Sequence, residues 1–335
     1  MKHTVTPATT NAGLFTLALR LVTGYTYFSA LWRRIVLTDK LNPEGAKYIG
    51  EKFNHFLPNA LGIKPIIEYL VTHPEALWWN MLLFTLIEGI VGLCIMLGLF
   101  TRLMSIGVSL LALGILLGSG WLGTTCLDEW QIGILGIASG FTLWFTGSGP
   151  YSIDYYFLKK HYKFSTTKWF SLLGSGTLPI GRTKPFVLAG SMLILFVTLF
   201  TNQYFHGGVW GTLHNKSVKP KLELSNGHIS NTHLSFEIYR TEGADVYGAF
   251  VIGITISDIN GNTLKHFNGD NLAELEPSEI NNKYITKIKP GKHSLVVPLG
   301  AKGTLSLPTE DIAPTDAYTV KVTDISGLEW MLTLQ

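Results

Sequence analysis

The chain has 335 residues, of which 15% are charged and 47% hydrophobic, and its formal net charge is +3. Charge this sparse is unusual for a water-soluble protein and natural for one solvated by a bilayer. Lys and Arg form no dense run interleaved with aromatics, which sets nucleic acid aside as a partner, and Cys94 and Cys126 match no zinc, iron–sulfur or CxxC spacing.

Five apolar runs approach the roughly 20 residues that a helix needs to cross about 30 Å of hydrocarbon: 13–32, 77–99, 102–121, 130–147 and 186–205. The first is too long for a signal-peptide core and lacks a small-residue cleavage pattern before YFSALWRR, so it is expected to be a retained span. Between the first two runs, residues 37–76 mix Phe, Leu and Ile with Lys and Glu, the composition of one or two amphipathic helices at the membrane interface. The loop after the fourth run holds Lys159, Lys160, Lys163, Lys168, Arg182 and Lys184 and no acid. By the positive-inside rule it faces the cytoplasm. The N-terminus then lies inside, while residues 33–76, the GTTCLDE loop and the C-terminal region face outward, placing the protein in the inner (cytoplasmic) membrane with a periplasmic C-terminal domain.

Beyond Tyr204 the composition changes. KLELS, THLSFEIYR, AFVIGITISD, YITKIK, HSLVVPL, AYTVKVTD and LEWMLTL are short runs, several of them alternating, separated by turn signals such as NG, DING and PGK. The expected fold is a membrane helical bundle followed by an all-β, immunoglobulin-like sandwich. The expected domains are a four-helix membrane domain at 1–165, with its outer insertion at 37–76, and a cytoplasmic linker at 166–185. A C-terminal region at 186–335 follows, with a helix at 186–205 and the sandwich at 215–335.

Charge inside hydrocarbon is costly, so Arg20 and Glu88 stand out. At 1.5 Å per residue their depths differ by only a few ångströms, and the spacing predicts an ion pair between them, either structural or part of a proton-handling site at Glu88. Arg33 and Arg34 follow Trp32 at the outer end of the first run, where they suit a small oxyanion or headgroup snorkelling. Cys126, beside Asp128 and Glu129, is either an inert loop thiol or a sulfur nucleophile, although carboxylate neighbours raise a thiol's pKa. His206 and His214 flank a Gly-rich connector; they are candidates for proton exchange at the surface, but not a metal signature. No dinucleotide, phosphate-loop, haem or nucleophile-elbow motif is present, so electrons, if moved, go to a diffusible quinone or a partner.

LALRLVTGYTYFSALWRR, LIEGIVGLCIMLGLFTRLMS and DEWQIGILGIASGFTLWFTGSGPYSIDYY resemble the DoxD/DoxX family, through Arg20 with Gly24 and through Glu88 to Arg102. From Phe186 onward, with HGGVWGTLHNKSVKP and the strands after it, the chain is similar to DoxA. The two resemblances together imply a DoxD–DoxA fusion with thiosulfate:quinone oxidoreductase activity, joining two thiosulfate ions to tetrathionate and reducing a quinone. On that implication Arg33, Arg34 and His206 bind the sulfur oxyanion, and Cys126, Glu88 and Asp128 carry the chemistry. The lipid bilayer and membrane quinone are the partners, and a homo-oligomer is left open. A non-catalytic membrane scaffold that recruits a partner through the sandwich is the alternative. A transporter is disfavoured, because five spans and one sandwich do not divide into repeated halves.

Overall fold

The structure is a computed structural model that describes residues 7–45, 48–120, 123–124, 127–178, 180–230, 232–244, 249–309, 312–313 and 318–334. The helices in chain order are α1 (Pro7–Phe15), α2 (Leu17–Leu31), α3 (Glu51–Phe56), α4 (Lys64–Thr72), α5 (Pro74–Leu97), α6 (Thr101–Ser119), α7 (Glu129–Thr146), α8 (Ile153–Lys159), α9 (Lys168–Leu173), α10 (Thr183–His206) and α11 (Gly269–Ala273). The strands are β1 (Gly123–Thr124), β2 (Leu127–Asp128), β3 (Lys221–Ile229), β4 (His233–Glu242), β5 (Ala249–Ser257), β6 (Thr263–Asn268), β7 (Ile280–Asn282), β8 (Lys289–Pro290), β9 (Leu295–Val297), β10 (Lys302–Pro308), β11 (Thr319–Asp324) and β12 (Glu329–Thr333). Two compact units result: Met1–Ile49 with Glu75–Leu117 and Glu129–Leu213, and Gly50–Pro74 with Gly118–Asp128 and His214–Gln335.

The first unit is helical. Among the described residues α5, α6 and α10 are long and apolar enough to cross a membrane. The predicted runs at 13–32 and 130–147 are also helical, but the first is divided into α1 and α2 at Thr16, and α2 passes directly into a π-helical stretch, Trp32–Leu37. Only 6% of the apolar window of α10 is buried, against 39% and 44% for α5 and α6, so α10 lies on the periphery of this unit. Gly24 of α2 and Gly92 of α5 face one another across a backbone contact in which neither has room for a Cβ. Small residues at such crossings let membrane helices approach closely.

A buried polar network closes one end of the helices. The α5–α6 turn passes through Gly98 in the left-handed region, where a Cβ would also strike the Arg20 guanidinium. The fully buried Asp154 accepts hydrogen bonds from the Phe100 N–H (2.8 Å), the Thr101 N–H (2.9 Å), the Thr101 hydroxyl (2.9 Å) and the Ser175 hydroxyl (2.7 Å). It thereby caps the N-terminus of α6, where unpaired N–H groups and the helix dipole favour an anion. Arg20 donates to the carbonyls of Ile95 (3.2 Å), Met96 (3.1 Å) and Tyr151 (2.6 Å), satisfying the last turn of α5. Arg102 donates to Trp144 O at the end of α7 (2.9 Å) and to Ser171 O in α9. The segment 166–185, expected as a plain linker, is therefore partly built into the bundle: Phe170 is buried and Ser171 ties α9 to Arg102.

The second unit is an antiparallel sandwich. One sheet has the order β3-β4-β10-β7; in the other, β12-β11-β5 continues to β9 and β8, with β6 also pairing with β5. Alternating residues of both sheets meet in one core, including Phe236 and Ile238 of β4, Ile254 and Ile256 of β5, Leu305 and Leu307 of β10, and Val320 and Val322 of β11. YITKIK departs from its expected strand. Its backbone is held by side chains instead, with Thr286 N donating to Asn54 Oδ1 (3.3 Å) and Ile288 N donating to Asn282 Oδ1 (2.7 Å).

Residues 50–74, expected as helices at the membrane interface, fold with the sandwich along one face. Leu57, in the 3-10 turn that follows α3, and Ile67 and Val71 of α4 are covered by Tyr284, with Tyr239 and Ile285 at the margin. An amphipathic face needs an apolar partner, and here protein supplies it. The Tyr284 hydroxyl donates to Glu68 Oε1 (2.9 Å). Burial first, and then that hydrogen bond, push the Tyr284 phenol pKa upward.

Two outcomes follow for stability. Asp154→Asn should cost about 3 kcal/mol, because two buried arginines lose their counter-charge; a thermal midpoint in detergent equal to wild type would show that the network does not need the charge. For Tyr284, the unfolded phenol releases its proton near the ordinary value of about 10 while the folded one keeps it, so its contribution is full below that pH and is lost above it. Tyr284→Phe should cost about 1 kcal/mol at neutral pH and make alkaline denaturation less steep, whereas an alkaline limb as steep as wild type's would contradict this role.

Candidate functional site

The face of α2 that turns inward carries Arg20, Thr23, Gly24, Tyr27 and Ala30, and Arg34 continues the seven-residue spacing of Arg20 and Tyr27 into the π-helical stretch. On α5 the buried face carries Met81, Thr85, Glu88, Gly89, Gly92 and Ile95. Helical periodicity thus brings Arg34 against Thr85 and Glu88, which lie one turn apart. Arg34 Nη1 donates to the Thr85 hydroxyl (3.2 Å) and forms a salt bridge with Glu88 Oε2, with side chains 18% and 5% exposed. The Tyr27 hydroxyl lies on the same inward face and donates to Val108 O of α6 (3.4 Å).

The predicted Arg20–Glu88 pair is therefore replaced by Arg34–Glu88. Arg20 is drawn instead to the carbonyls at the end of α5, two turns beyond Glu88, because a helix terminus in an apolar setting leaves those acceptors unpaired. The adjacent arginines also part company. Arg34 turns inward, while Arg33 is exposed and its Nε donates to Ser29 O (3.2 Å). They form no joint two-arginine clamp; Arg33 alone presents its guanidinium outward.

The remaining candidates lie apart from this cluster. His206, the last residue of α10, is buried beside Trp130 of α7, ring centroids 6.2 Å apart. Cys126 falls outside the described residues, and of Asp128 only the backbone is described, in β2. Cys94 is half-buried in α5. No group of His, Cys, Asp and Glu with metal-binding proximity occurs among the described residues.

A cavity of about 530 Å³ opens against α6, α7 and the start of α10. Ser105, Ser109, Gly140, Phe141, Trp144 and Phe186 contribute to its wall. Gly140 packs so tightly on α6 that a Cβ would overlap Ser105 and Ser109. The cavity wall is almost wholly apolar and in part aromatic, a lining typical of small-molecule sites. It lies on the third, fourth and fifth predicted runs, and nothing in their sequence distinguished it from ordinary core. Asp154, Thr85 and Tyr27 likewise went unmarked, although the spacing of Tyr27 from both Arg20 and Arg34 carried the signal.

Comparison with known families gives two matches. Residues 15–196, more than half of the chain, match the family described as TQO small subunit DoxD, and residues 205–333 match TQO small subunit DoxA, TQO being thiosulfate:quinone oxidoreductase. No solved structure matches the chain. The glycine crossing, the Arg20 and Arg102 caps and the Glu88 pair all fall within the first match, and the sandwich within the second. The chain belongs to the DoxD family of membrane proteins, with a DoxA region fused behind it.

Proposed function

We propose that this chain is a membrane thiosulfate:quinone oxidoreductase. In that reaction two thiosulfate ions give up one electron each and an S–S bond forms between their terminal sulfurs, yielding tetrathionate. The two electrons and two protons pass to a quinone, which leaves as quinol. The observation that carries the reading is the Glu88–Arg34 pair, buried in the helices of a DoxD region. A carboxylate in an apolar interior costs free energy unless it is paired, and one whose pairing can be exchanged for a proton suits a reaction that ends in proton uptake.

Within this proposal Glu88 handles protons and Arg34 holds it ready. Arg33 is the exposed contact for the oxyanion, since a guanidinium matches planar pairs of oxygens. The cavity on α6, α7 and α10 supports the quinone assignment: Phe141, Trp144 and Phe186 offer ring faces and Ser109 a hydroxyl donor. Cys126 and Asp128 keep their proposed parts in receiving sulfur-derived electron density and in handling protons, and His206, buried beside Trp130, remains the second candidate contact for the oxyanion. The lysine-rich loop at 159–184 faces the cytoplasm in this reading, and the sandwich faces away from it.

Purified protein in detergent should reduce a soluble quinone only when thiosulfate is present; folded protein that fails to do so would leave the scaffold reading in place. Glu88→Gln should lower kcat by about 100-fold, the scale of a lost acid–base group, and an unchanged kcat would remove Glu88 from the chemistry. Arg33→Gln should raise KM for thiosulfate by about ten-fold, equivalent to about 1.4 kcal/mol, and leave KM for quinone alone. Ser109→Leu should do the reverse by filling the cavity, and equal effects on both constants would argue that the two substrates do not occupy separate places.

A further inference from the structure

The family boundary and the folded boundary of this chain do not coincide. Residues 50–74 lie in the DoxD match, yet they form one compact unit with the strands of the DoxA match. Their contact has the anatomy of an interface between two proteins, an apolar centre ringed by directed hydrogen bonds. The centre is Leu57, Ile67 and Val71 against Tyr284. Around it, the fully buried Asn54 accepts from Thr286 N (3.3 Å) and donates to Gly300 O (3.1 Å), and Asn59 donates to Thr241 O (3.1 Å). Tyr284 closes the ring on Glu68.

The sandwich is shaped for this contact. Gly300 holds a positive φ, and a side chain there would overlap the Asn54 carbonyl. The YITKIK stretch gives up a strand ladder and donates backbone hydrogen bonds to asparagine side chains, one of them on α3. Asn54 alone satisfies one donor and one acceptor of the sandwich backbone, both of which would otherwise be buried without partners.

We propose that residues 50–74 are a docking element that holds a DoxA-type sandwich by non-covalent contact alone, so that the connection at 207–219 is dispensable for assembly. The partner it fits is a sandwich presenting the Tyr284–Ile288 stretch and the Gly300 turn, whether tethered or supplied as a separate chain. This holds whether or not the chain oxidises thiosulfate.

The test uses the full chain in membranes, with a protease site placed in the exposed connector beside Gly211 and Leu213, which is 75% exposed. After cleavage the 214–335 fragment should sediment with the membranes. Asn54→Ala combined with Ile67→Ala should raise its release by about ten-fold or more, the effect of about 1.4 kcal/mol of lost contact. Both substitutions lie on the helix side and leave the sandwich sequence intact, and its single tryptophan, Trp330, reports that the released fragment is folded. Release of the wild-type fragment on cleavage, folded or unfolded, would overturn the proposal. So would equal retention of wild type and variant, which would point to adhesion elsewhere.

Discussion

A helix that ends in an apolar setting leaves N–H groups at one end and carbonyls at the other without water to satisfy them. The first unit of this chain is organised around that constraint. Asp154, Arg20 and Arg102 each leave their own segment to cap a neighbour: the start of α6, the end of α5 and the end of α7. Each charge is neutralised by backbone dipoles and by the opposite charge nearby, so three ionised groups are buried where one alone would be prohibitive. The register of α2, α5, α6 and α7 follows from these contacts together with the glycine crossing of α2 and α5.

With that register fixed, the pairing of Arg34 with Glu88 follows. Arg20 is committed to carbonyls, and the next arginine on the same face of α2 reaches the carboxylate. Residues that the family pattern groups together thus divide by physical role. Arg20 and Arg102 serve helix ends, while Glu88 sits with Arg34 and Thr85 in the middle of α5. The second unit follows a different logic, with two sheets sharing one core and an insertion from the helical region covering part of its flank.

Much of this was legible in the sequence. The apolar runs marked α5, α6 and α10, and alternation in THLSFEIYR and AYTVKVTD marked β4 and β11, because burial on one face of a helix or sheet writes a period directly into the chain. Partner choice was not legible in the same way. Depth along the membrane normal pointed to Arg20 as the partner of Glu88 and set Arg34 at the outer end of its span, and the competing demand of the Ile95 and Met96 carbonyls on Arg20 had no signal in the sequence. The fate of residues 50–74 was hidden for a related reason: an amphipathic helix has the same pattern whether lipid or protein covers it. YITKIK read as a strand because its buried Tyr284, Thr286 and Ile288 alternate, yet Tyr284 and Thr286 face the helices at 50–74 while Ile288 joins the sandwich core, with no strand ladder between them.

Arg20, Tyr27 and Arg34 lie along one line of a continuous helical rod, α2 with its π-helical extension. Rotating that rod to swing Arg34 off the carboxylate would also drag Arg20 from the carbonyls at the far end of α5. The two contacts, about 20 Å apart along the helix, therefore constrain the same rotational setting of the rod. The carboxylate pair on α5 and the turn at Gly98 are in this way set by one and the same helix.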